Sequence, residues 1–537
     1  MITGPMPARK QPCPALFLGL VLFMIAAPLP ASAGTEIAPS DGDTVALGNS
    51  TTVSAWPLIV IESNGNPEAT KSSSPVQSAA SASPPAGEQE IRIAYQAVGP
   101  SGANPSDNKD VTVPPAQTKP TTEEMFGHRG GYLHPFLGIR EEFTDNLYNI
   151  KVDKVENLLT ILSPGIWLSA PRLKEVPVSL APHNAAVGGI RYSVPGSGTF
   201  ERYQTYLLGA LDYKSYSANS DLDHTAWRVE GMYQQNLPVG LSLRLMDRYT
   251  RDQDRFDMGS FLRQDFTVEP GSISVSSTPS RIRPYYSNQA IVSANLNAGE
   301  HFSALVNYIN FYLDYDEAVN AWLDRTDNSL GLSLSYNYSP KTSFFLEYDH
   351  ALLGYATDTE NDSQNTFYYG GVSWQGSEKT SLMVKAGYQL KEYDAAESDD
   401  AGTFAMEAQL NYLITDKSKI GLNLSKALEE TDSLLNRGKD TLAGRLRYEQ
   451  RITSRIQGYV ELWYELNDYE GFDRAGIDYL PVEARQDKRY LVRPGLQYFF
   501  KDWLVGELSY AFEDRNSNDA FYDFTSQSVF LSLNTAF

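Results

Sequence analysis

The chain has 537 residues, a formal net charge of −22 and one cysteine. The acidic excess argues against a nucleic-acid partner, and after residue 33 no stretch approaches the roughly 20 apolar residues that a membrane helix needs. With 33 tyrosines, the composition fits a protein with aromatic belts at two membrane interfaces.

Residues 1–33 have the pattern of a secretory signal peptide. Arg9 and Lys10 form a basic start, an apolar segment follows from Ala15, and small residues precede the predicted cleavage before Gly34. The only cysteine lies in this segment. The mature chain is therefore predicted to have no thiol and no disulfide.

Residues 34–130 are rich in Ser, Pro, Ala, Thr and Gly. Such a segment buries too little apolar surface to offset its conformational entropy, so we expect a disordered periplasmic linker. Two apolar patches, Trp56–Ile61 and Ile91–Tyr95, interrupt it. They are either transient strands or a docking peptide for a periplasmic partner.

From residue 131 onward, apolar and polar residues alternate with a period of two. In the segment Asn328–Tyr338, for example, leucines and tyrosines alternate with serine, glycine and asparagine. The segments are about ten residues long, as a tilted membrane strand requires. Short connections alternate with longer, acidic ones. We therefore predict that residues 131–537 form an all-β, transmembrane, antiparallel up-and-down β-barrel of about 18 strands.

The C-terminal segment Ser528–Phe537 carries apolar residues at most odd positions and mainly small or polar residues at even ones. A terminal strand leaves an unpaired edge, which a closed barrel removes by pairing the last strand with the first. The terminal phenylalanine resembles the ending of bacterial outer-membrane barrels. An ordinary sandwich strand is the alternative.

One connection breaks the alternation of loop lengths. About thirty residues, 170–202, lie on the side where a short turn is expected, and they contain several prolines and glycines. They are either a simple insertion or a segment that constricts the lumen.

Two short motifs carry a family resemblance. Phe143–Tyr148, followed by Leu162–Ile166, is similar to the opening motif of the beta-barrel porin type 2 family. Leu491–Leu496 resembles a later repeat of the second half of that motif. The resemblance spans about Phe136–Phe537. It implies an outer-membrane barrel, and because members are often associated with exopolysaccharide export, it implies that role as well.

Catalytic motifs are missing from the sequence. The six histidines show no HExxH spacing and none adjoins a G-x-S-x-G turn. We therefore predict no enzymatic activity, no cofactor and no metal. Barrel enzymes that carry catalytic residues at strand ends remain a minor alternative, because spacing alone does not reveal them.

If the apolar faces of the strands contact lipid, the opposite faces line a lumen in which the two signs of charge nearly balance. The candidate lumen-lining residues are Arg244, Arg248, Arg445, Arg447, Arg489, Arg493, Glu461, Tyr459 and Trp463. The arginines suit an acidic polymer, since a guanidinium group matches a carboxylate, and the two aromatic residues suit sugar rings. The alternative is that these side chains solvate the wall and pair across strands.

The sequence and the resemblance together predict an outer-membrane channel that exports a secreted exopolysaccharide. The alternative is a general or substrate-selective diffusion porin. The expected partners are outer-membrane lipid and lipopolysaccharide, together with periplasmic polysaccharide-export components, and no nucleic acid.

Overall fold

The computed structural model describes the following parts of the chain: residues 132–170, 202–254, 283–357, 362–377, 379–394, 400–431, 436–471, 485–501 and 503–536, with the short strands 59–63, 91–95, 179–182, 190–193, 266–269 and 272–275. The chain divides into two units, Met1–Val45 and Ala46–Phe537, and the barrel belongs to the second. The predicted signal peptide and most of the predicted linker lie outside the described residues.

Eighteen strands form one closed antiparallel barrel. The first nine are β1 Leu133–Thr144, β2 Asn157–Ala170, β3 Tyr203–Tyr216, β4 His224–Leu237, β5 Leu241–Asp254, β6 Arg283–Ala298, β7 Phe302–Tyr315, β8 Arg325–Ser339 and β9 Thr342–Tyr355. The second nine are β10 Ser363–Ser377, β11 Thr380–Tyr393, β12 Ala401–Thr415, β13 Ser418–Glu429, β14 Asn436–Arg451, β15 Ile456–Gly471, β16 Gln486–Lys501, β17 Leu504–Ser517 and β18 Phe524–Ala536. The predicted fold and strand number are confirmed.

The period of two places apolar side chains on the outside of the barrel. On β8, Leu330, Leu332 and Leu334 are 52%, 39% and 51% exposed, whereas Ser333 and Ser335 on the other face are buried. In a water-soluble protein the leucines would form the core, and a contiguous apolar exterior of this size is stable only against lipid. The strand pattern of β8 therefore places its leucines on the outer face of the wall.

The barrel closes where β18 pairs with β1, from Ser528 opposite Thr144 to Ala536 opposite Phe136. Side chains reinforce this seam at its outer end. The Asn146 amide donates to the Thr525 carbonyl oxygen at 2.9 Å. Lys151 in the β1–β2 connection forms a salt bridge of 2.8 Å with Asp523 in the β17–β18 connection. The final strand thus has no free edge along its paired length.

Connections on the two ends of the barrel differ in length, as predicted. The β4–β5 and β6–β7 turns contain Gly240 and Gly299, both with positive φ (77° and 72°), a conformation that costs glycine little. A Cβ at Gly240 would also lie 2.8 Å from the Asn297 carbonyl oxygen. The short 3-10 helices Ser220–Leu222, Ala318–Leu323 and Ala520–Tyr522 all lie in connections at the opposite end.

Three further strand pairs lie outside the barrel sheet. The two apolar patches of the predicted linker pair antiparallel as Ile59–Ser63 and Ile91–Tyr95. The long β2–β3 connection contains Ser179–Pro182 paired with Ile190–Ser193, and the β5–β6 connection contains Phe266–Glu269 paired with Ser272–Val275. Among the described residues, no helix is long and apolar enough to span a membrane.

Candidate functional site

The polar faces of the strands point into the barrel, and they bring together seven of the nine predicted lumen-lining residues. The seven lie on the adjacent strands β14, β15 and β16: Arg445, Arg447, Tyr459, Glu461, Trp463, Arg489 and Arg493. The remaining two, Arg244 and Arg248, lie on β5, seven strands away from β16 by the shorter route around the wall. Strand alternation alone did not predict this division.

Arg445 and Arg447 on β14 are held by acidic residues. Glu461 on β15 accepts hydrogen bonds from both guanidinium groups, and the one from Arg447 is 2.9 Å long. Arg447 also donates to Glu449 at 2.8 Å and lies 4.0 Å over the ring of Tyr459. With both charges neutralised by neighbours, this pair forms part of the wall.

Arg489 and Arg493 on β16 are placed differently. Arg489 donates to Glu513 at 2.5 Å, and Arg493 lies 3.7 Å from Glu507. In both pairs the arginine side chain is more exposed than its partner, 33% against 17% and 32% against 11%. The positive group of each pair is therefore the one that reaches water.

Aromatic rings support the same two arginines. The Arg489 guanidinium lies 5.2 Å from the Trp463 ring centre, and that of Arg493 lies 4.7 Å from the ring of Phe530 on β18. Such contacts attract cations to ring faces and restrict their motion. Arg140 on β1 adds an exposed interior guanidinium, and within the described residues it makes no ion pair.

Arg244 and Arg248 are buried, at 9% and 2% exposure. Arg244 donates to Gln234 at 2.7 Å, and Arg248 donates to Glu230 at 2.6 Å. The Tyr206 hydroxyl donates to the same glutamate at 2.5 Å. These hydrogen bonds connect β3, β4 and β5, and because both arginines are buried, they present little charge to a solute.

A second buried ion cluster lies on β9 to β12. Lys385 is 2.6 Å from Glu347 and 3.3 Å from Glu407, and its Nζ lies 4.4 Å from the Tyr369 ring centre. The lysine and Glu347 are almost completely buried. Four adjacent strands are thus tied by one ammonium group.

The outer end of β13 has an arrangement that strand alternation does not predict. After Lys426, toward its C-terminal end, β13 no longer pairs with β12. Instead, the Gln389 side chain of β11 donates to the Leu428 carbonyl oxygen at 3.0 Å and accepts from its N–H at 2.7 Å. A side-chain amide takes the place of a neighbouring strand's peptide, and the end of β13 turns into the barrel.

Glu430, the residue after β13, completes this inward turn. Its carboxylate accepts hydrogen bonds from Lys391 on β11 and, at 2.6 Å, from the Tyr355 hydroxyl on β9. Since β9 is four strands away from β13, the chain there extends across the interior face. Lys391 shares its strand face with Lys385 and Gln389, so alternation predicts its direction but not its partner.

In the part of the chain that the structure describes, no group of three or more His, Cys, Asp or Glu side chains is placed to hold a metal ion. The interior chemistry of the described strands consists of guanidinium, ammonium, carboxylate, amide and aromatic groups. Such groups bind and orient charged solutes.

The second part of the barrel matches a known protein family. Residues 315–537 match the model of the family described as "Putative beta-barrel porin 2". This match confirms the family resemblance over the second part of the barrel. It includes the Leu491–Leu496 motif, and the opening motif lies ahead of it. No curated protein matches the chain.

Several solved barrels are similar at low identity. OccAB4 of Acinetobacter baumannii is 9% identical, with a TM-score of 0.38, over 76% of this chain and 99% of that chain. OpdK of Pseudomonas aeruginosa, solved with vanillate, is 11% identical, with a TM-score of 0.39, over 77% and 100%. OprD of the same organism is 10% identical, with a TM-score of 0.38, over 77% and 96%.

The closed 18-strand wall with its apolar exterior and polar interior is the architecture of an outer-membrane channel. The family match places the second part of that wall among porins. The chain is therefore an outer-membrane β-barrel porin, and its residues 315–537 are similar to the family that this match names.

Proposed function

We propose that this porin is a substrate-selective diffusion channel for anionic solutes, and that small carboxylates are its main permeants. The observation that carries the proposal is the exposure of Arg489 and Arg493 relative to their acidic partners. Arg140, three strands further around the wall on β1, adds a third exposed guanidinium. Together they form an arginine sector on β16 and β1.

The arginine sector suits a carboxylate for a geometric reason. A guanidinium group offers parallel N–H donors that match the two oxygens of a carboxylate, and it stays charged at every physiological pH. Because the glutamates of both pairs are the more buried members, a passing anion meets the donors first. Anions are thereby attracted and cations repelled at this part of the wall.

Ion selectivity in planar bilayers tests the proposal. The reversal potential across a salt gradient should show that the porin prefers chloride to potassium, and R489Q/R493Q should shift this preference toward the cation. Arg455→Gln is the matched control, because Arg455 lies exposed in the β14–β15 turn, outside the interior wall. A cation-selective wild type, or an unchanged reversal potential in the double variant, would reject the proposal.

Export of an acidic polysaccharide is the second candidate. The observation that favours it is the aromatic support of the arginine sector, since Trp463 and Phe530 place ring faces beside the two guanidinium groups. Rings and cations in register suit a chain of acidic sugars. Deleting the gene and measuring secreted polysaccharide separates the candidates: unchanged secretion rejects export, and lost secretion with unchanged uptake of small anions rejects the diffusion role.

A further inference from the structure

The carboxylate of Glu507 on β17 is held by uncharged hydrogen-bond donors. The Tyr459 hydroxyl donates to Glu507 Oε1 at 2.6 Å, and the Gln497 side-chain amide donates to Oε2 at 2.8 Å. Nη2 of Arg493 lies 3.7 Å from the same Oε1, which is beyond hydrogen-bonding distance. Each oxygen of this carboxylate therefore has a donor other than the neighbouring arginine.

Arg493 keeps unused N–H groups as a consequence. Among the described residues its Nη1 has no acceptor, and its Nε and Nη2 share one acceptor, the Ser509 hydroxyl, at 3.3 and 3.2 Å. The side chain is also partly exposed. Arg489 differs, because its Nε donates directly to the Glu513 carboxylate at 2.5 Å. Of these two arginines, Arg493 is thus the one whose donors are available to a solute.

The ring of Tyr459 reaches Glu507 by crossing β16 at a glycine. Tyr459 on β15 lies directly opposite Gly495, and a Cβ at that glycine would be 2.2 Å from Cζ of the ring. Only glycine therefore leaves room for the ring in this position. The Arg447 guanidinium, 4.0 Å from the ring centre, packs on the same ring. The phenol is buried between these neighbours, and its hydroxyl is fixed beside β17.

Two other contacts between an aromatic ring and a glycine show that this packing does not need a hydroxyl. A Cβ at Gly165 would be 2.0 Å from the ring of Phe136, and a Cβ at Gly371 would be 2.2 Å from the ring of Phe345. In both contacts the two residues lie directly opposite each other on adjacent strands, as they do between β15 and β16. Phenylalanine fills both places, so the hydroxyl between β15 and β16 has a role beyond packing.

We infer that Arg493 is the carboxylate-binding residue of the arginine sector, and that Tyr459 is a positioning residue that keeps its donors available; the inference rests on the proposed function. Without the hydroxyl, Oε1 of Glu507 loses its donor, and the guanidinium 3.7 Å away is placed to replace it. A movement of about 1 Å forms a charge-assisted hydrogen bond. The resulting ion pair occupies the donors that a permeating carboxylate needs.

Block of the chloride current by benzoate, a small carboxylate, tests this inference with the intact porin in planar bilayers. Y459F should weaken the apparent benzoate affinity by roughly tenfold, since the donors that it removes from the solute form hydrogen bonds between charged groups. Y459F/E507Q should restore the wild-type affinity, because a neutral amide competes poorly for the guanidinium. The matched control is Y448F, which removes a hydroxyl that donates to Gln450 at 2.7 Å on the outer face of β14 and should leave the affinity unchanged.

Single arginine variants complete the test, and heat-dependent gel migration verifies that every variant is folded. R493Q should abolish the benzoate block, whereas R489Q should weaken it by less. A cation-selective wild type would reject the proposed function and the inference with it. In an anion-selective wild type, unchanged affinity in Y459F, no recovery in Y459F/E507Q, or equal losses in R489Q and R493Q would overturn the inference alone.

Discussion

Replacing Lys385 by methionine should destabilise the barrel strongly. The substitution keeps the length of the side chain and removes the only cation that contacts Glu347 and Glu407 among the described residues, at 2.6 and 3.3 Å. At an effective dielectric constant of about 20, the closer pair alone has a Coulomb attraction of roughly 6 kcal/mol. Desolvation offsets part of this, and breaking one partner of a buried pair costs about 3–5 kcal/mol. The destabilisation of K385M should therefore clearly exceed the loss that follows from breaking a solvent-exposed ion pair.

Urea unfolding in lipid vesicles, followed by tryptophan fluorescence, measures this difference. Lys426→Met is the matched control, since Lys426 bonds Asp440 at 2.5 Å but both side chains remain about one quarter exposed. An exposed pair contributes about 1 kcal/mol or less. If K385M and K426M unfold at the same urea concentration at pH 8, the interior around Lys385 is screened by water and the reasoning fails.

Three smaller perturbations address the outer end of the barrel. Glu430→Gln removes the carboxylate that Lys391 binds, so the inward turn after β13 should loosen and single-channel conductance should rise; equal conductance would contradict a constriction there. Gln389→Leu leaves the peptide of Leu428 without its two bonds, which should cost about 1–3 kcal/mol and accelerate amide exchange at that residue, whereas unchanged exchange would show that another group replaces the glutamine. Burial alone raises the pKa of Asp523, but hydrogen bonds from the Lys151 side chain and from the backbone N–H of Ser517 lower this pKa on balance. A carboxyl with a lowered pKa stabilises the fold above its ordinary titration range, and this contribution is lost as the pH falls through the lowered value. Asp523→Asn should therefore slightly reduce the temperature of the gel shift at pH 7. The loss in free energy should be less than about 1 kcal/mol, because the lysine partner is exposed and the carboxylate is only partly buried. The difference from the wild type should shrink as the pH falls below the ordinary titration range of an aspartate, and a loss that does not change with pH would point to packing.

The fold was predictable because one physical rule acts along the whole wall. Each strand contacts lipid on one face, so the period of two identifies both the strand and its direction. The alternating segment Asn328–Tyr338, for example, lies within the strand Arg325–Ser339 of the structure. The closure of the barrel followed from the terminal strand Phe524–Ala536, whose edge needs a partner.

Alternation predicts a face and not a partner, and this limits what the sequence reveals about the site. Arg445 and Arg489 both point inward, yet Glu461 holds the first within the wall while the second reaches water. The difference depends on which strands lie side by side and on how far each is shifted.

The buried ion pairs of the interior have a role in folding even where they meet no solute. A slip of one residue in strand register turns every side chain to the opposite face. For β14, such a slip would place Arg445 and Arg447 in lipid, at about 2–4 kcal/mol each near mid-depth, and would separate them from Glu461. Leucines on the outer face also resist a slip of one residue, but a slip of two residues keeps them in lipid, so they do not distinguish registers that differ by two. Charged pairs require one partner in one place, so the arginines and glutamates of β14 and β15 select the register in which the exposed arginines of β16 face the channel.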